Sequence, residues 1–382
     1  MSDPILYSAP DTDFTSPGLG GLGACTSCRV TRQLNGKYEL EMTYPIIGRR
    51  FRDLKNRNII LASAGPDEEP QPFRIYKTRL SLMLNKTVYA RHIAYDLMGC
   101  PLMPFAAESL NAALGTISSA ARIHGLPFDL AADFVDNVQC SIAAPRSAWA
   151  MLGGQKGSIL DVYGGEWDFN RYALTLRHRL GGDPGVTVRY GSNLQSLQHD
   201  EDFANTWTHI LPYWLSADGL TLVTLPEKRL PTGTFDYTRT LVWDVSAEFQ
   251  SAPTEEQLRQ RTQQYIRNSH VGEPDAALDV KWVPLDVKWV PLDQTEEYKG
   301  KLPPRPVDLG DTVTVEYPSA ADPDTGRPID FIQATARVVE TVWLPMQDRY
   351  EYVRIGAKRA NFATVMAQAT KTLDWVLKKI RR

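Results

Sequence analysis

The chain has 382 residues, a net charge of −3 at pH 7 and 43% hydrophobic residues. This length allows roughly two to four domains with cores of their own, and the near-neutral charge argues against sequence-specific DNA binding through a basic surface. No apolar run reaches the roughly 20 residues of a membrane helix, and the N-terminus lacks the features of a secretory signal, so we expect assembly in the cytoplasm.

The N-terminal quarter predicts an arm followed by an antiparallel β unit. Residues 1–24 are rich in Gly, Pro, Ser and Asp and are interpreted as an extended arm. Residues 25–95 form the first β unit, in which Asn35-Gly36 is a strong hairpin-turn signal. Its strands are predicted at 25–33, 36–45, 58–64, 72–84 and 86–94.

Residues 96–190 predict an α/β insert. Residues 106–123 are alanine-rich with apolar positions at helical spacing, and residues 145–153 predict a second, short helix. The segment 158–199 is interpreted as two strands joined by the glycine-rich turn Gly181–Gly185.

The first of these two strands has one apolar and one basic face. Its apolar positions are Tyr172, Leu174, Leu176, His178 and Leu180, which alternate with Arg171, Thr175, Arg177 and Arg179. The arginines Arg171, Arg177 and Arg179 are a candidate electrostatic interface with an acidic neighbour. The alternative is an ordinary solvated strand face.

The second half predicts another β unit interrupted by a helix. Residues 191–250 begin this unit with strands at 206–215 and 220–225. Residues 251–305 form a helix–strand insert, and residues 306–358 complete the unit with strands at 311–318, 331–343 and 349–356. Thr254 and Gln257 have the spacing of a capping box, which predicts a helix running to about residue 270.

A tandem repeat of seven residues lies in the second insert. Leu278–Pro284 and Leu285–Pro291 both read LDVKWVP. Because seven is odd, the second copy would present its side chains on the opposite face of one continuous strand. We therefore expect Pro284 to break the strand or to place it at a sheet edge, with one copy looped out.

The C-terminal residues 359–382 predict an amphipathic helix. Its apolar seam spans about two and a half heptads and consists of Phe362, Met366, Ala369, Leu373, Val376 and Ile380. One interpretation is a trimeric coil that joins protomers or receives a partner. The other is a helix packed on its own domain, which the off-seam Trp375 and Leu377 favour.

Four segments share the order and spacing of motifs in a known family. The run "GGE…R-x-G…Y-G-x-N-L" corresponds to Gly164, Gly165, Glu166, Tyr172, Leu174, Arg179, Gly181, Val186, Tyr190, Gly191, Asn193 and Leu194. The other three segments are Asn35–Pro45, Ala90–Leu97 and Val307–Val313. Together they resemble the N-terminal structural region of phage tail-tip proteins, the group known as prophage endopeptidase tail proteins or tail-associated lysins.

This resemblance implies a mainly β fold with α+β inserts. Each chain would supply two tandem antiparallel β-barrel tube domains, residues 25–95 and the strands of 191–250 with 306–358. Three chains would form a pseudo-hexameric ring. The implied function is the structural hub of a tail tip or baseplate, which joins a sixfold tail tube to a threefold tip in the virion. The implied partners are the tail tube or distal tail protein, a tape-measure, spike or fibre protein, and genomic DNA in passage.

Two other function classes remain open, a tail-associated peptidoglycan endopeptidase and a host-surface adhesin. The chain ends where the family's peptidase domain would begin, and neither HExxH nor GxSxG occurs. We therefore expect no enzymatic activity and no cofactor.

Several polar residues have spacings that occur at catalytic or metal sites, and we expect structural roles for them. Cys25 and Cys28 have metal-knuckle spacing, but Cys100 and Cys140 are not a second close pair. Glu166 with Asp168 could imitate a glycosidase pair, and residues 199–202 an acidic, cation-binding turn. His92 and Asp96 are interpreted as strand-end or cap groups.

Overall fold

A computed structural model describes residues 3–66, 68–82, 84–189, 194–202, 206–246, 248–249, 251–269, 271–272, 275–282, 307–321 and 328–356. The protein is mainly β, with a curled antiparallel half-barrel sheet and few helices. No helix in these ranges is long and apolar enough to cross a membrane. The second LDVKWVP copy, Pro284 and the seam of residues 359–382 lie outside the described residues.

The first seven strands form one side of the large sheet. They are β1 (Ile5–Tyr7), β2 (Gly20–Gly21), β3 (Ser27–Gln33), β4 (Tyr38–Pro45), β5 (Ile59–Ala62), β6 (Gln71–Leu80) and β7 (Asn85–His92). The five strands predicted between residues 25 and 94 are confirmed. Asn35 adopts a positive φ of 47° in the turn between β3 and β4, as the Asn-Gly signal predicts.

The segment predicted as an N-terminal arm adds strands to this sheet. β1 pairs with both β5 and β2, and Leu6 is completely buried. The hydroxyl of Tyr7 donates to the carbonyl of Phe14 over 3.0 Å. The N-terminal segment is rich in Gly and Pro, but its backbone nevertheless follows a fixed path across the core.

The α/β insert begins with a 3-10 helix, Ile93–Gly99. It continues with β8 (Pro101–Leu102), β9 (Phe105–Ala107), α1 (Leu110–Ile123), β10 (Asp129–Ala132), β11 (Cys140–Ile142), β12 (Arg146–Ser147), α2 (Ala148–Leu152), α3 (Ile159–Tyr163), β13 (Glu166–Asn170) and β14 (Ala173–Arg177). Both predicted helices are present but shorter than expected. Ser109 and Ser147 cap α1 and α2 through their hydroxyls.

The predicted hairpin across Gly181–Gly185 is wrong. The hairpin joins β13 to β14 through a turn at Arg171, whose φ is +52°. After the glycines, β15 (Thr187–Arg189) runs parallel to β22 (Thr312–Ala321). The glycine-rich segment therefore connects the insert to the C-terminal strands. At Gly181 its backbone packs closely against that of Gly310.

The remaining elements build a small sheet and complete the large one. They are β16 (Leu194–Asp202), β17 (His209–Leu215), β18 (Leu222–Thr224), β19 (Leu230–Pro231), β20 (Thr240–Asp244), α4 (Glu255–Ser269), β21 (Asp275–Trp282), β23 (Pro328–Leu344) and β24 (Arg349–Ile355). The acidic turn expected at 199–202 is wrong, because these residues belong to β16 and pair with β21. The capping box of α4 is confirmed by the bond from the Gln257 amide to the Thr254 hydroxyl.

Strands from both halves of the chain share the large sheet. Its order is β16-β21-β24-β23-β3-β4-β7-β6-β5-β1-β2, with β22 and β15 attached beyond β23. The antiparallel pairing of β23 with β3 joins the first and second β units. The main core is accordingly continuous from Leu6 through the insert to Ile355. A smaller core of Trp214, Leu225, Val245 and Leu258 lies between the four-stranded sheet β17–β20 and α4.

Candidate functional site

Two of the motif segments, which are far apart in sequence, meet at one place. Glu166 begins β13, Arg179 and Gly181 follow β14, and Gly310-Asp311 precede β22. We call Glu166, Arg179, Gly181, Gly310, Asp311 and their partner Arg337 the motif junction. It ties the insert to the C-terminal strands, which the sequence motifs themselves did not indicate.

A bidentate ion pair lies at the centre of the motif junction. Arg337 on β23 donates to both carboxylate oxygens of Glu166, over 2.6 and 2.9 Å. The same guanidinium donates to the main-chain carbonyls of Leu180 and Gly310. The Glu166 side chain is only 14% exposed, so the charge-assisted bonds compensate a carboxylate that has lost most of its water.

Two glycines allow the backbones at the motif junction to touch. A Cβ on Gly181 would lie 2.3 Å from the carbonyl carbon of Gly310, and both residues have positive φ values, +72° and +86°. Asp311 is completely buried and accepts bonds from the amides of Gly182 and Asp308, 2.7 and 2.8 Å long. Both glycines and the aspartate are therefore required by geometry.

The three arginines of the candidate electrostatic interface have separate environments. Arg171 lies in the hairpin turn near Glu69, 3.7 Å away. Arg177 pairs with Asp168 over 2.8 Å, and Arg179 donates to the Thr312 hydroxyl over 2.6 Å. They contact groups of their own chain, and a role toward a partner stays a prediction.

A buried arginine that the sequence reading missed connects the two β units. Arg32 on β3 is 7% exposed and lies 2.6 Å from Glu68 and 3.5 Å from Asp308. The Tyr350 hydroxyl on β24 donates to Asp308 over 3.4 Å. Burial raises the pKa of Glu68 to about 7; Arg32 opposes this shift and Asp308 adds to it. A signal was available, because Arg32 follows Cys28 and Val30 on the buried face of a period-two strand.

His92 has the cap role expected of it, whereas Asp96 lies inside the 3-10 helix and forms an ion pair. The His92 ring accepts from the amide of Ala94 and caps the 3-10 helix, while Asp96 pairs with Arg74 over 2.6 Å. Burial, with Arg32 nearby, lowers the pKa of His92 to about 3. The imidazole is therefore neutral at physiological pH and stacks on Tyr38 at 4.6 Å.

The remaining candidate residues for chemistry have structural partners or are buried. The Glu166 carboxylate pairs with Arg337, and the Asp168 carboxylate pairs with Arg177. Burial raises the pKa of Cys25 and Cys140 to about 11, so their thiols are protonated and poorly nucleophilic at neutral pH. Within the described ranges, no three His, Cys, Asp or Glu residues are placed to hold a metal ion.

A shallow pocket lies on the sheet face formed by β3, β4 and β7. Its volume is about 160 Å³, and its lining includes Arg29, Glu39, Glu41, Tyr76 and Tyr89. Drug-sized ligand sites are usually about 300–1,000 Å³. This pocket is too small for such a ligand.

These features define a class of fold in which a large antiparallel sheet carries an α/β insert that is tied back to its C-terminal strands. The chain matches prophage tail protein gp18 from Listeria monocytogenes EGD-e with a TM-score of 0.57 at 15% identity, over 98% of this chain and 100% of that one. It matches the 43 kDa tail protein of prophage MuSo2 from Shewanella oneidensis with a TM-score of 0.58 at 13% identity, over 95% and 100%. A tail protein from Neisseria meningitidis MC58 gives 0.56 at 12% identity, over 89% and 94%.

No protein-family model matches the sequence, and no curated protein matches it at a significant level. The structural likeness nevertheless extends over nearly the whole chain and over nearly the whole of each neighbour. The chain therefore has the fold of prophage tail proteins.

Proposed function

We propose that the protein is the structural hub of a tail tip or baseplate in a phage or phage-derived particle. The observation that carries this proposal is the match in fold to prophage tail proteins along 98% and 95% of the chain. The buried carboxylates and arginines support it as well, because they hold strands and insert together.

In this proposal the protein is a homotrimer whose chains each contribute two β-barrel tube domains. Six similar barrels in a ring would let a threefold tip dock on a sixfold tail tube. Within one chain, the pairing of β3 with β23 fixes the first and second β units against each other. The segment 359–382 is the candidate for contact with another protomer or with a spike or fibre protein.

The proposed mechanism is mechanical. The ring ends the tail tube, holds the tape-measure protein or spike, and opens on adsorption for DNA to pass. A lumen for sliding DNA should be neutral or acidic, since each phosphate contact by Lys or Arg adds affinity. We therefore expect basic surfaces to face away from the central axis.

The mass of the purified chain in solution tests this proposal. Light scattering should give about three times the 42.8 kDa chain mass, either alone or with the tail-tube protein. A density map of the particle should place two β-barrel domains per chain around the tail axis. A chain that stays monomeric with every tail partner, or that lies away from the axis, contradicts a hub.

Two activity assays separate the alternatives. A zymogram on peptidoglycan should show no clearing, and clearing would favour the tail-associated endopeptidase. Purified protein should not bind host cell walls on its own, and binding that free glycan blocks would favour the adhesin. Among the described residues, no contact favours the endopeptidase or the adhesin over the hub.

A further inference from the structure

An exposed apolar cluster lies at one end of the large sheet. Ile47 is 91% exposed, Leu82 103%, Leu80 63% and Leu84 58%. They come from the loop after β4 and from the tip of the β6–β7 hairpin, which meet where the Ile46 amide donates to the Leu84 carbonyl over 2.8 Å. We call residues 46–57, 77–82 and 84–86 the basic lobe.

The basic lobe carries a large excess of positive charge. It contains eight Lys and Arg residues and one acid, Asp53. With a net charge of +7 in a chain of −3, it leaves the rest of the chain at −10. Asp53 is already paired with Arg50 over 3.4 Å, and in the described part of the chain Arg49, Arg52 and Arg79 form no ion pair.

The loop after β4 and the tip of the β6–β7 hairpin are held together, so the basic lobe is a preformed surface. The Lys86 ammonium donates to the carbonyls of Phe51 and Leu54, over 2.5 and 3.2 Å, and lies 4.0 Å from the centre of the Phe51 ring. Burial and the neighbouring Lys55 lower the pKa of Lys86. Like charges are thus concentrated at the cost of mutual repulsion, which an acidic partner would relieve.

A surface of opposite character lies on the four-stranded sheet. Its face away from α4 exposes Leu215, Leu222 and Val242, of which Leu222 is 62% and Val242 63% exposed. Leu220, in the turn before β18, is 85% exposed. We call the exposed side of residues 209–224 and 240–246 the outer face.

The charge on the outer face is acidic. Residues 209–224 and 240–246 contain Asp218 and Asp244 but neither Lys nor Arg. The Ser216 hydroxyl and the Leu220 amide lower the pKa of Asp218, and the hydroxyl and amide of Ser246 lower that of Asp244, so both are ionised. Beside this face, the Lys156 ammonium donates to the Asp244 carbonyl and lies 3.2 Å from Glu248.

We infer that the basic lobe of one copy docks on the outer face of a second copy of this chain. The two surfaces are complementary in charge, and each exposes apolar side chains that single proteins rarely leave in water as clusters. Two different surfaces in contact make a head-to-tail interface, which forms a closed ring when the rotation between neighbouring copies closes, as the proposed threefold ring requires. This inference rests on the proposed ring and assigns its subunit contact.

A second copy of this chain would cover both the basic lobe and the outer face. DNA or a membrane would cover the basic lobe alone. DNA would satisfy the arginines but would leave Ile47 and Leu82 without an apolar partner. An anionic membrane would accept both the charges and the apolar tip, but would leave the outer face unexplained. Binding to DNA or to an anionic membrane is therefore a possible result of the experiment below, and the partner that we propose is a second copy of this chain.

A matched pair of substitutions tests the contact. Leu82→Ser should weaken self-association of the full chain at least tenfold in sedimentation equilibrium, while Ile123→Ser should leave it unchanged. Ile123, at the end of α1, is 82% exposed and lies outside both surfaces. The double change Lys77→Glu with Arg79→Glu should weaken association as well, and 0.5 M NaCl should weaken that of the unmodified chain.

Cross-linking identifies the opposite surface. With p-benzoylphenylalanine in place of Leu82, irradiation should produce a covalent dimer whose cross-linked peptide comes from 209–224 or 240–246. Replacing Ile123 in the same way should not yield that peptide. If a trimer forms and residue 82 cross-links elsewhere, the docking inference is wrong while the hub stands. A chain that stays monomeric both alone and with every tail partner overturns both, and binding of that monomer to phosphatidylglycerol vesicles or to duplex DNA would assign the basic lobe to that ligand.

Discussion

The motif junction and the basic lobe use charge in opposite ways. At the motif junction Glu166 and Arg337 are largely buried and satisfy each other within 2.9 Å. The basic lobe contains eight cationic residues, one acid, and exposed leucines and isoleucines. The difference indicates that the junction stabilises the chain itself, while the lobe is suited to contact another molecule. Substitutions should therefore affect stability at the first region and association at the second.

The largest effect is expected for Gly181→Ala. The added methyl would meet backbone atoms 2.3–2.6 Å away, in addition to the strain of a φ of +72°. We expect a loss of about 3 kcal/mol in the free energy of unfolding by urea. Gly185→Ala is the matched control, since φ is +71° there but no atom lies within 4 Å, and it should cost about 1 kcal/mol. Equal losses would mean that the close backbone contact contributes little.

Removing the central cation should have the next largest effect. Arg337→Met leaves the Glu166 carboxylate with the Leu180 amide but without its ion pair, at a cost of about 2–3 kcal/mol. Arg122→Met is the control, because the Arg122–Asp129 pair is 60% and 72% exposed and should contribute under about 1 kcal/mol. Chemical unfolding of both variants at pH 7 measures the difference. A similar cost for both would contradict the distinction between buried and exposed charge.

A pH-dependent effect is expected at Glu68. Its pKa is about 7 in the folded protein and near 4.3 in an unfolded chain, so folding takes up a proton between these values. Its contribution to stability is greatest below the unfolded value and is lost as pH rises through 7. Glu68→Gln should remove up to about 3 kcal/mol of this pH dependence between pH 5 and 8. If the unfolding free energies of variant and parent vary in parallel over this range, two carboxylates do not compete for Arg32.

The smallest effect on stability is expected in the basic lobe. Leu82 is fully exposed, so Leu82→Ser should change the free energy of unfolding by less than about 0.5 kcal/mol. The measurement is made at a concentration where the chain is monomeric, so that association does not contribute. A larger loss would show that the hairpin tip packs within the chain and would remove the contrast between the two regions.

Local patterns predicted the elements more reliably than their partners. Period-two alternation located β3, β4, β6 and β7, and the capping residues located α4. The glycine-rich segment after β14 predicts a hairpin, because glycines and an aspartate followed by proline are typical of a turn. Its true partner, β22, is distant in sequence, and no local pattern identifies such a pairing.

The candidate site shows the same division between sequence and structure. Glu166, Gly181 and Asp311 belong to the family-like motifs, whereas Arg32 and Arg337 lie outside them. Arg32 could have been found, since it continues the buried face of β3. Nothing adjacent to Arg337 points to Glu166, because residues on separate elements are brought together only when the sheet forms.

The sequence by itself determined which segments form strands and helices, where several turns lie, and how charge is distributed along the chain. These properties follow from side-chain periodicity, from capping residues and from composition, all of which act over a few residues. The tertiary structure decided that β3 pairs with β23, that Arg337 meets Glu166, and that the loop after β4 meets the tip of the β6–β7 hairpin. These depend on contacts between distant segments, whose geometry is set by packing of the whole core.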